Sequence, residues 1–342
     1  MKIGIISPSE IAYRRFLPAL QNNKEFEFVG VAVASKSEWF EGKTTLFPED
    51  NWAITQKNEI EKAKLFIENY GGTLFDGYQN LIKDTAIDCI YVPLPPALHY
   101  KWANLGLEFG KHVFIEKPST TCLKDTQSLV NLAKQYDLAL HENYMFAYHE
   151  QLNYIKKIIN SGEIGDIRLY RISFGFPLRQ SNDFRYKAEL GGGALLDCGG
   201  YVLKYASMLL GDTTKLDYAR LNHINGFEVD MYGSAALSND QGVTAQIAFG
   251  MDNNYKCELE IWGSKGTFYT NRVLTAPRDF EPEAIIRKGN EETKIHLPAD
   301  DTFSKSIQVF KECIINKKMR EDEYKVMIRQ EELLEQFKNK LK

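Results

Sequence analysis

Two polar residues interrupt an otherwise apolar segment, and both carry groups that take part in proton transfer. The segment opens with three glycines at 191–193 and then shows apolar residues at helical spacing until Gly211. Asp197 and Tyr201 are four positions apart, so a helix would place the carboxylate and the phenol on one face. Such a pair at the glycine-rich start of a buried helix is suited to general acid–base chemistry. A capped core helix with two hydrogen-bonded polar side chains is the alternative interpretation.

The composition is that of a globular protein large enough for two domains. The chain has 342 residues, of which 44% are hydrophobic and 26% are charged. This length allows each of two domains to bury its own core. The net charge of −4 argues against nucleic acid as the main partner.

The sequence lacks the patterns of a membrane or secreted protein. No apolar run approaches the roughly 18 residues of a membrane span, and residues 1–6 are too short a run for a signal peptide. The five cysteines are scattered and form no CxxC pair, which is typical of reduced thiols. We therefore expect a cytoplasmic protein with no membrane partner, no disulfide framework and no metal site.

Alternating strand and helix patterns in residues 1–120 predict a parallel sheet of the dinucleotide-binding type. The turn between the first strand and a helix predicted from Tyr13 is where such folds bind a pyrophosphate. Ser7 and Ser9 hold the first two glycine positions of the GxGxxG pattern, and Ala12 holds the third. Small residues still permit close backbone approach, and the serine hydroxyls are able to bind phosphate. An ordinary strand-to-helix turn is the alternative.

The end of the second strand favours one nicotinamide cofactor over the other. NAD-specific sites place an acidic residue about 20 positions after the glycine turn, where it binds the ribose 2′-OH. Ser35 and Lys36 occupy that place, and no carboxylate follows before Glu38. A hydroxyl and a cation suit a 2′-phosphate, so we predict that NADP(H) is favoured over NAD(H). Residues 38–57 lack periodicity and read as an insertion near the adenosine end.

Two further turns fall at the carboxyl ends of predicted strands, where ligands bind in open parallel sheets. One is the proline-rich turn 93–99, and the other is Glu116-Lys117-Pro118. A solvated loop lysine is the alternative for the second turn, although the flanking glutamate and proline favour a fixed conformation.

Glu116-Lys117-Pro118 and the GGGALLD sequence at 191–197 together resemble the Gfo/Idh/MocA oxidoreductase family, as do residues 141–146 and 262–267. The resemblance implies an α/β protein with an N-terminal Rossmann-type parallel sheet domain and NAD(P)-dependent hydride transfer on sugars or polyols. It also implies a C-terminal α/β domain with a large open, mainly antiparallel sheet.

We therefore predict a cofactor-binding domain at 1–120 and a substrate-binding and oligomerisation domain at 121–342, with the last helices able to pack back on the first domain. Five alternating segments between residues 216 and 270 predict the strands of the second domain. An exposed sheet face would suit a homodimer or homotetramer.

Two shorter segments, 14–20 and 181–186, are similar to the nucleotide-sugar 3-ketoreductases of this family, which carry tyrosine where inositol dehydrogenases have histidine. The resemblance implies hydride transfer to the ketone of a nucleotide-linked (deoxy)ketosugar. Tyr201 would be the general acid and Lys117 its electrostatic partner, since a cation lowers the pKa of a nearby phenol from about 10. Asp197 would orient the substrate or the lysine.

The turns and the resemblance together define the candidate ligand contacts. The predicted cofactor-binding residues are Ser7, Ser9, Glu10, Ile11, Ser35, Lys36, Leu94, Pro95, His99, Glu116 and Lys117. The predicted substrate-binding residues are Asn143, Arg185 and Tyr186, with a charged surface loop as the alternative for the last two.

The sequence is also compatible with two other functions. One is a dehydrogenase of a free sugar or polyol, and the other is a non-catalytic NAD(P)-binding regulator. The joint presence of Lys117, Asp197 and Tyr201 argues against a regulator, which needs the pocket without the acid.

Overall fold

The computed structural model describes residues 1–40 and 52–340, so residues 41–51 of the predicted insertion lie outside the described part. The chain divides into two compact units, each built from more than one segment. The first unit takes residues 1–143, 189–191 and 303–328, and the second takes residues 144–188, 192–302 and those from 329 onward.

The first unit alternates strands and helices. Its elements are β1 Lys2–Ile6, α1 Leu17–Gln21, β2 Glu27–Val33, α2 Lys36–Phe40, α3 Trp52–Tyr70, β3 Thr73–Asp76, α4 Tyr78–Lys83, β4 Cys89–Val92, α5 Pro96–Glu108, β5 His112–Glu116, α6 Leu123–Gln135 and β6 Leu140–Asn143. The predicted helix from Tyr13 is instead a π-helical turn, Ala12–Phe16, followed by the short α1.

The strands of the first unit form a six-stranded sheet in the order β3-β2-β1-β4-β5-β6. All of its strand pairs are parallel. The strand order reverses between β1 and β4, and ligands bind at this point, beyond the carboxyl ends of the strands, in sheets of this kind. β4 is buried along its whole length, as expected where both sheet faces are covered.

Aromatic rings fill one part of the core of the first unit. Phe16 stacks on Tyr91 of β4 with ring centroids 4.0 Å apart. Phe114 of β5 meets Phe310 edge to face at 5.4 Å. The first contact joins the π turn to β4, and the second joins β5 to a late segment of the chain. Residues near position 310 therefore belong to the core of this unit.

The second unit begins with α7 Glu150–Ser161, β7 Ile167–Gly175 and α8 Gly200–Leu210. Seven strands follow, namely β8 Lys215–His223, β9 Asp230–Ser238, β10 Thr244–Gly250, β11 Lys256–Gly263, β12 Thr267–Thr270, β13 Glu283–Lys288 and β14 Glu291–His296. Two helices come last in the chain, α9 Thr302–Ile315 and α10 Lys317–Lys340, and residues 303–328 of this segment belong to the first unit. None of the helices in residues 1–40 and 52–340 is both long and apolar enough to cross a membrane.

An eight-stranded sheet, ordered β14-β13-β12-β11-β7-β10-β9-β8, forms the body of the second unit. Its pairs are antiparallel except for β7 and β10, which run parallel. Buried and exposed residues alternate along β9 and β10, so one face packs on the core and the other faces outward. β13 and β14 extend the sheet beyond the predicted strands. The predicted fold class is confirmed.

The partly buried imidazole of His112 on β5 predicts a loss of stability in acid. Its Nδ1 accepts a hydrogen bond from the Ala139 amide at 2.9 Å, a contact that protonation of Nδ1 would break. Burial, with help from Arg320, lowers the pKa of His112 to about 4. An unfolded histidine has a pKa of about 6.5, so between these values the unfolded chain binds more protons than the native chain.

We therefore expect the free energy of unfolding to be fully retained above pH 6.5 or so and to fall as the pH drops towards 4. Urea titrations of wild-type protein and of His112→Asn, which keeps an acceptor oxygen, would measure this slope. The variant should show a smaller change over that interval, and equal slopes in the two proteins would contradict the assignment.

Candidate active site

The turn after β1 adopts a conformation usually reserved for glycine. Ser7 has φ 82° and its amide donates to the Ala32 carbonyl at 3.1 Å. Holding a non-glycine residue there costs about 1–2 kcal/mol, and such strain clusters at functional sites. Ser9 Oγ accepts from the Ala12 amide at 3.2 Å and keeps its own proton for donation. The turn therefore fits a phosphate group despite its missing glycines.

The neighbouring predicted cofactor contacts differ in character. Glu10 is exposed and pairs with Arg14 at 2.5 Å on the outside of the turn. Ile11 directly precedes the π turn. Burial raises the pKa of a further phenol, that of Tyr78 at the start of α4, and Ser7 beside it opposes the rise. This phenol thereby connects α4 to the turn after β1.

The end of β2 presents two serine hydroxyls and a lysine. Ser35 Oγ and Ser37 Oγ are 3.1 Å apart, and Lys36 between them is exposed. The carboxylate of Glu38 instead accepts backbone N–H groups from Ser35, Tyr78 and Gln79. The first acid after β2 is therefore bound to the main chain.

The end of β4 is tied to the end of β5 by a buried histidine. His99 on α5 places Nε2 2.6 Å from the Leu94 carbonyl and Nδ1 2.8 Å from the Pro118 carbonyl. Burial lowers the pKa of His99 to about 4, and the two carbonyls oppose this effect. The ring fixes the backbone around Leu94 and Pro95, so it connects two predicted cofactor turns.

The glutamate of the second turn is held in a network of its own. Glu116 Oε1 accepts from the Tyr91 hydroxyl at 2.6 Å and from Asn143 Nδ2 at 2.7 Å. Burial raises the pKa of Glu116, while its two donors and Lys117 oppose the rise. Lys117 follows directly and is half-buried, and the bond to Pro118 is cis.

Both the nitrogen and the oxygen of the Asn143 side-chain amide form hydrogen bonds. Its Oδ1 accepts from Ser306 on α9 at 2.8 Å, and Ser306 Oγ lies 2.9 Å from Nε2 of the fully buried His141. Since Ser306 donates its proton to Asn143, His141 donates to Ser306. His141 Nδ1 then lies 3.3 Å from the Glu323 carboxylate. The predicted substrate contact Asn143 is thus an internal link that orients Glu116.

In the second unit, the glycine turn is folded back on the preceding loop. The amides of Gly192 and Gly193 donate to the carbonyls of Lys187 and Arg185, each at 2.9 Å. Gly193 has φ 112°, and a Cβ there would collide with the carboxylate of Asp230 on β9. That carboxylate accepts from the Leu195 amide at 2.7 Å and caps the start of the helix.

The segment that carries the candidate acids is not a regular α-helix throughout. Residues Leu195–Gly199 form a π-helical turn, and α8 begins only at Gly200. Turns of this kind occur often at functional sites. The predicted continuous helix is therefore wrong in its first turn, which is where Asp197 lies.

Asp197 belongs to a partly buried ion-pair cluster. Its Oδ2 accepts from Arg185 Nε at 2.8 Å, and Arg185 Nη1 donates to Asp183 at 3.2 Å. Burial favours the neutral form of the guanidinium, but the two carboxylates hold the pKa of Arg185 above its usual value. Arg185 thus positions Asp197 in this structure.

Tyr201 is enclosed by aromatic rings within the second unit. Its ring centroid lies 5.3 Å from that of Tyr144, 5.7 Å from that of Phe146 and 5.3 Å from that of Phe174. The contacts with Tyr144 and Phe174 are edge-to-face, and together with the tilted ring of Phe146 they fix the plane of the phenol. The hydroxyl of Tyr186, by comparison, accepts the Arg179 amide at 2.7 Å and stabilises its own loop.

Sequence reasoning missed several residues that build the site. Tyr78, Tyr91, Asp230 and Ser306 each place a polar atom in a buried setting. Of these residues, Tyr91 could have been found from the sequence, because it lies in an otherwise apolar strand. A buried hydroxyl usually requires a hydrogen-bond partner. The residues described contain no group of three or more His, Cys, Asp or Glu that could hold a metal ion.

A parallel sheet with this strand order and phosphate-compatible turns at its switch point defines a dinucleotide-binding oxidoreductase fold. Residues 1–144 match the oxidoreductase family with an NAD-binding Rossmann fold, and residues 152–269 match the GFO/IDH/MocA C-terminal domain. The chain belongs to the Gfo/Idh/MocA family. The predictions of family, of an NAD(P)-dependent oxidoreductase and of its Rossmann-type sheet are confirmed.

Relatives with stated activities are similar over nearly the whole chain. A dTDP-3,4-didehydro-2,6-dideoxy-alpha-D-glucose 3-reductase from Actinomadura kijaniata is 36% identical over 316 residues, which are 92% of this chain and 88% of the relative. The enzyme of the same description from Streptomyces violaceoruber is 35% identical over 92% and 85% of the two chains. A crystal structure of a 3-ketoreductase from Actinomadura kijaniata with NADP and TDP-benzene gives a TM-score of 0.88 at 34% identity, covering 99% and 97% of the chains.

Proposed function

We propose that this protein uses NADPH to reduce a ketone of a nucleotide-linked deoxysugar, with a dTDP-linked 3-ketosugar as the first candidate substrate. The observation that carries the proposal is the 36% identity to a dTDP-ketosugar 3-reductase over 92% of this chain, because it includes both units. The crystal structure of the 3-ketoreductase with NADP and TDP-benzene supports the same ligands.

NADPH supplies the hydride, and the residues of this chain bind the cofactor and manage charge and protons. The turns at Ser7–Ser9 and Ser35–Lys36 would hold its phosphates. Lys117 would stabilise negative charge on the carbonyl oxygen, and Tyr201 would donate the proton that completes the alcohol. Asp197, fixed by Arg185, would orient the sugar.

We also infer that the two parts of the chain have separate binding roles and that the protein forms a homo-oligomer. Residues 1–120 would bind cofactor, and residues 121–342 would bind substrate and form a homodimer or homotetramer in the cytoplasm. Tyr218, Tyr232 and Trp262 support an interface, because they project large exposed side chains from the outward face of the second unit's sheet.

The experiment compares substrates at fixed NADPH and follows the loss of NADPH absorbance. We expect turnover with a dTDP-linked ketosugar and little with free ketosugars or polyols. Turnover of free sugars alone would instead support a free-sugar dehydrogenase. NADPH binding without turnover of any ketone would contradict the enzymatic proposal and support a regulator.

A further inference from the structure

We propose that Glu38 is the positioning residue that makes the cofactor site specific for a 2′-phosphate. The inference rests on the proposed function in one respect, the use of NADPH. Glu38 is the first acid after β2, where an NAD-specific site would bind the ribose diol with a carboxylate. In the structure this carboxylate accepts hydrogen bonds from the protein itself.

Both carboxylate oxygens of Glu38 are bound to main-chain N–H groups. Oε2 accepts from Ser35 at 2.8 Å and from Tyr78 at 2.9 Å, and Oε1 accepts from Gln79 at 2.8 Å. Hydrogen bonds that involve an ionised group are about twice as strong as neutral ones. To reach a ribose diol, Glu38 would have to give up three of them, so the carboxylate is withdrawn from the position that would favour NAD(H).

The same bonds shape the turn that would receive the phosphate. The Ser35 amide donates to the Glu38 carboxylate, while Ser35 Oγ accepts from the Glu38 amide at 3.4 Å, which is a capping-box arrangement. This holds Ser35 and Ser37 with their hydroxyl oxygens 3.1 Å apart and leaves Lys36 exposed. Two hydroxyls and an ammonium group on one short turn are the donors that a phosphate monoester accepts from.

Glu38 also links this turn to the other phosphate-binding turn. Two of the N–H groups that donate to Glu38 belong to the first residues of α4, and the phenol of Tyr78 lies beside Ser7. Gly77 leaves the room for this contact, since a Cβ there would lie 3.3 Å from Glu38 Oε2. One carboxylate therefore fixes the β2 turn against a helix that contacts the turn after β1.

The negative charge of Glu38 is compatible with a neighbouring phosphate. Its oxygens lie against three N–H dipoles, two of them at the amino end of α4, and these offset the charge locally. A carboxylate without such partners on this turn would repel a 2′-phosphate. Glu38 therefore organises the turn but does not itself bind the cofactor.

The test is direct binding of NADPH and NADH to Glu38→Ala and Glu38→Gln, measured by isothermal titration calorimetry. We expect Glu38→Ala to weaken NADPH binding about tenfold, the equivalent of one charge-assisted hydrogen bond, and to change NADH binding less than about twofold. Glu38→Gln keeps the length of the side chain and one acceptor oxygen, so its NADPH affinity should fall between those of wild type and Glu38→Ala. If Glu38→Ala does not fold, as judged by circular dichroism, Glu38→Gln carries the test.

Glu68→Gln is the matched control, because it removes an exposed carboxylate from α3 of the same unit. Its two affinities should equal those of the wild type. Glu38 variants that lose NADPH and NADH affinity by the same factor, or lose neither, would overturn the inference while wild type still prefers NADPH. A wild-type protein that binds the two cofactors equally would overturn the cofactor part of the proposed function and this inference with it.

Discussion

Replacing Tyr201 with phenylalanine is expected to lower kcat by roughly 10²- to 10⁴-fold, the usual contribution of a positioned general acid. The variant removes only the hydroxyl. The ring keeps its neighbours Tyr144, Phe146 and Phe174, so its packing is retained and the KM for the sugar should change little. The loss should therefore fall on the chemical step, which steady-state kinetics with NADPH would show as a change in kcat.

Tyr205 provides a matched control one turn further along α8. It is as buried as Tyr201, and its hydroxyl has no hydrogen-bond partner within residues 1–40 and 52–340. Tyr205→Phe should thus retain wild-type kcat. Near-wild-type turnover of Tyr201→Phe would show that Tyr201 is not the proton donor.

Lys117→Met is expected to lower kcat by about 10²- to 10³-fold, the size of effect seen when a group that stabilises developing charge is removed. The structure gives this lysine a fixed backbone on both sides. Glu116 is held by Tyr91 and Asn143, and the Pro118 carbonyl contacts the ring of His99. These contacts hold in place the backbone from which Lys117 projects.

Two variants sharpen the Lys117 prediction. Lys117→Arg keeps the charge and should recover part of the lost kcat, although its planar head group has a different geometry. Lys134→Met removes a lysine that pairs with Glu321 in the same unit and should leave kcat unchanged. Equal kcat in Lys117→Met and Lys134→Met would contradict the electrostatic role.

The parts of the fold that were predictable are those set by local pattern. Short apolar runs followed by small or proline-rich turns predicted β1, β4 and β5 and the loops at their carboxyl ends, because strand and turn signals lie within a few residues of each other. The π turns at 12–16 and 195–199 were not predictable, since a π turn and an α turn use the same apolar spacing.

The contacts that organise the site join residues far apart in the chain. Asp230 caps a helix 35 positions earlier, and Ser306 donates to an amide 163 positions earlier. No local signal marks such partners, because each residue is ordinary for its own strand or helix. Glu38 shows the same limit, since its type was visible in the sequence but its partners at 78 and 79 were not.

Transfer of the hydride itself would show whether the protein reduces a dTDP-linked ketosugar. The protein would be incubated with NADPH deuterated at both C4 positions of the nicotinamide and with a dTDP-linked ketosugar, and the product analysed by mass spectrometry and NMR. We expect one deuterium bound to the carbon of the former ketone. Recovery of the ketosugar unchanged, under conditions where calorimetry shows that NADPH is bound, would contradict the proposed reduction.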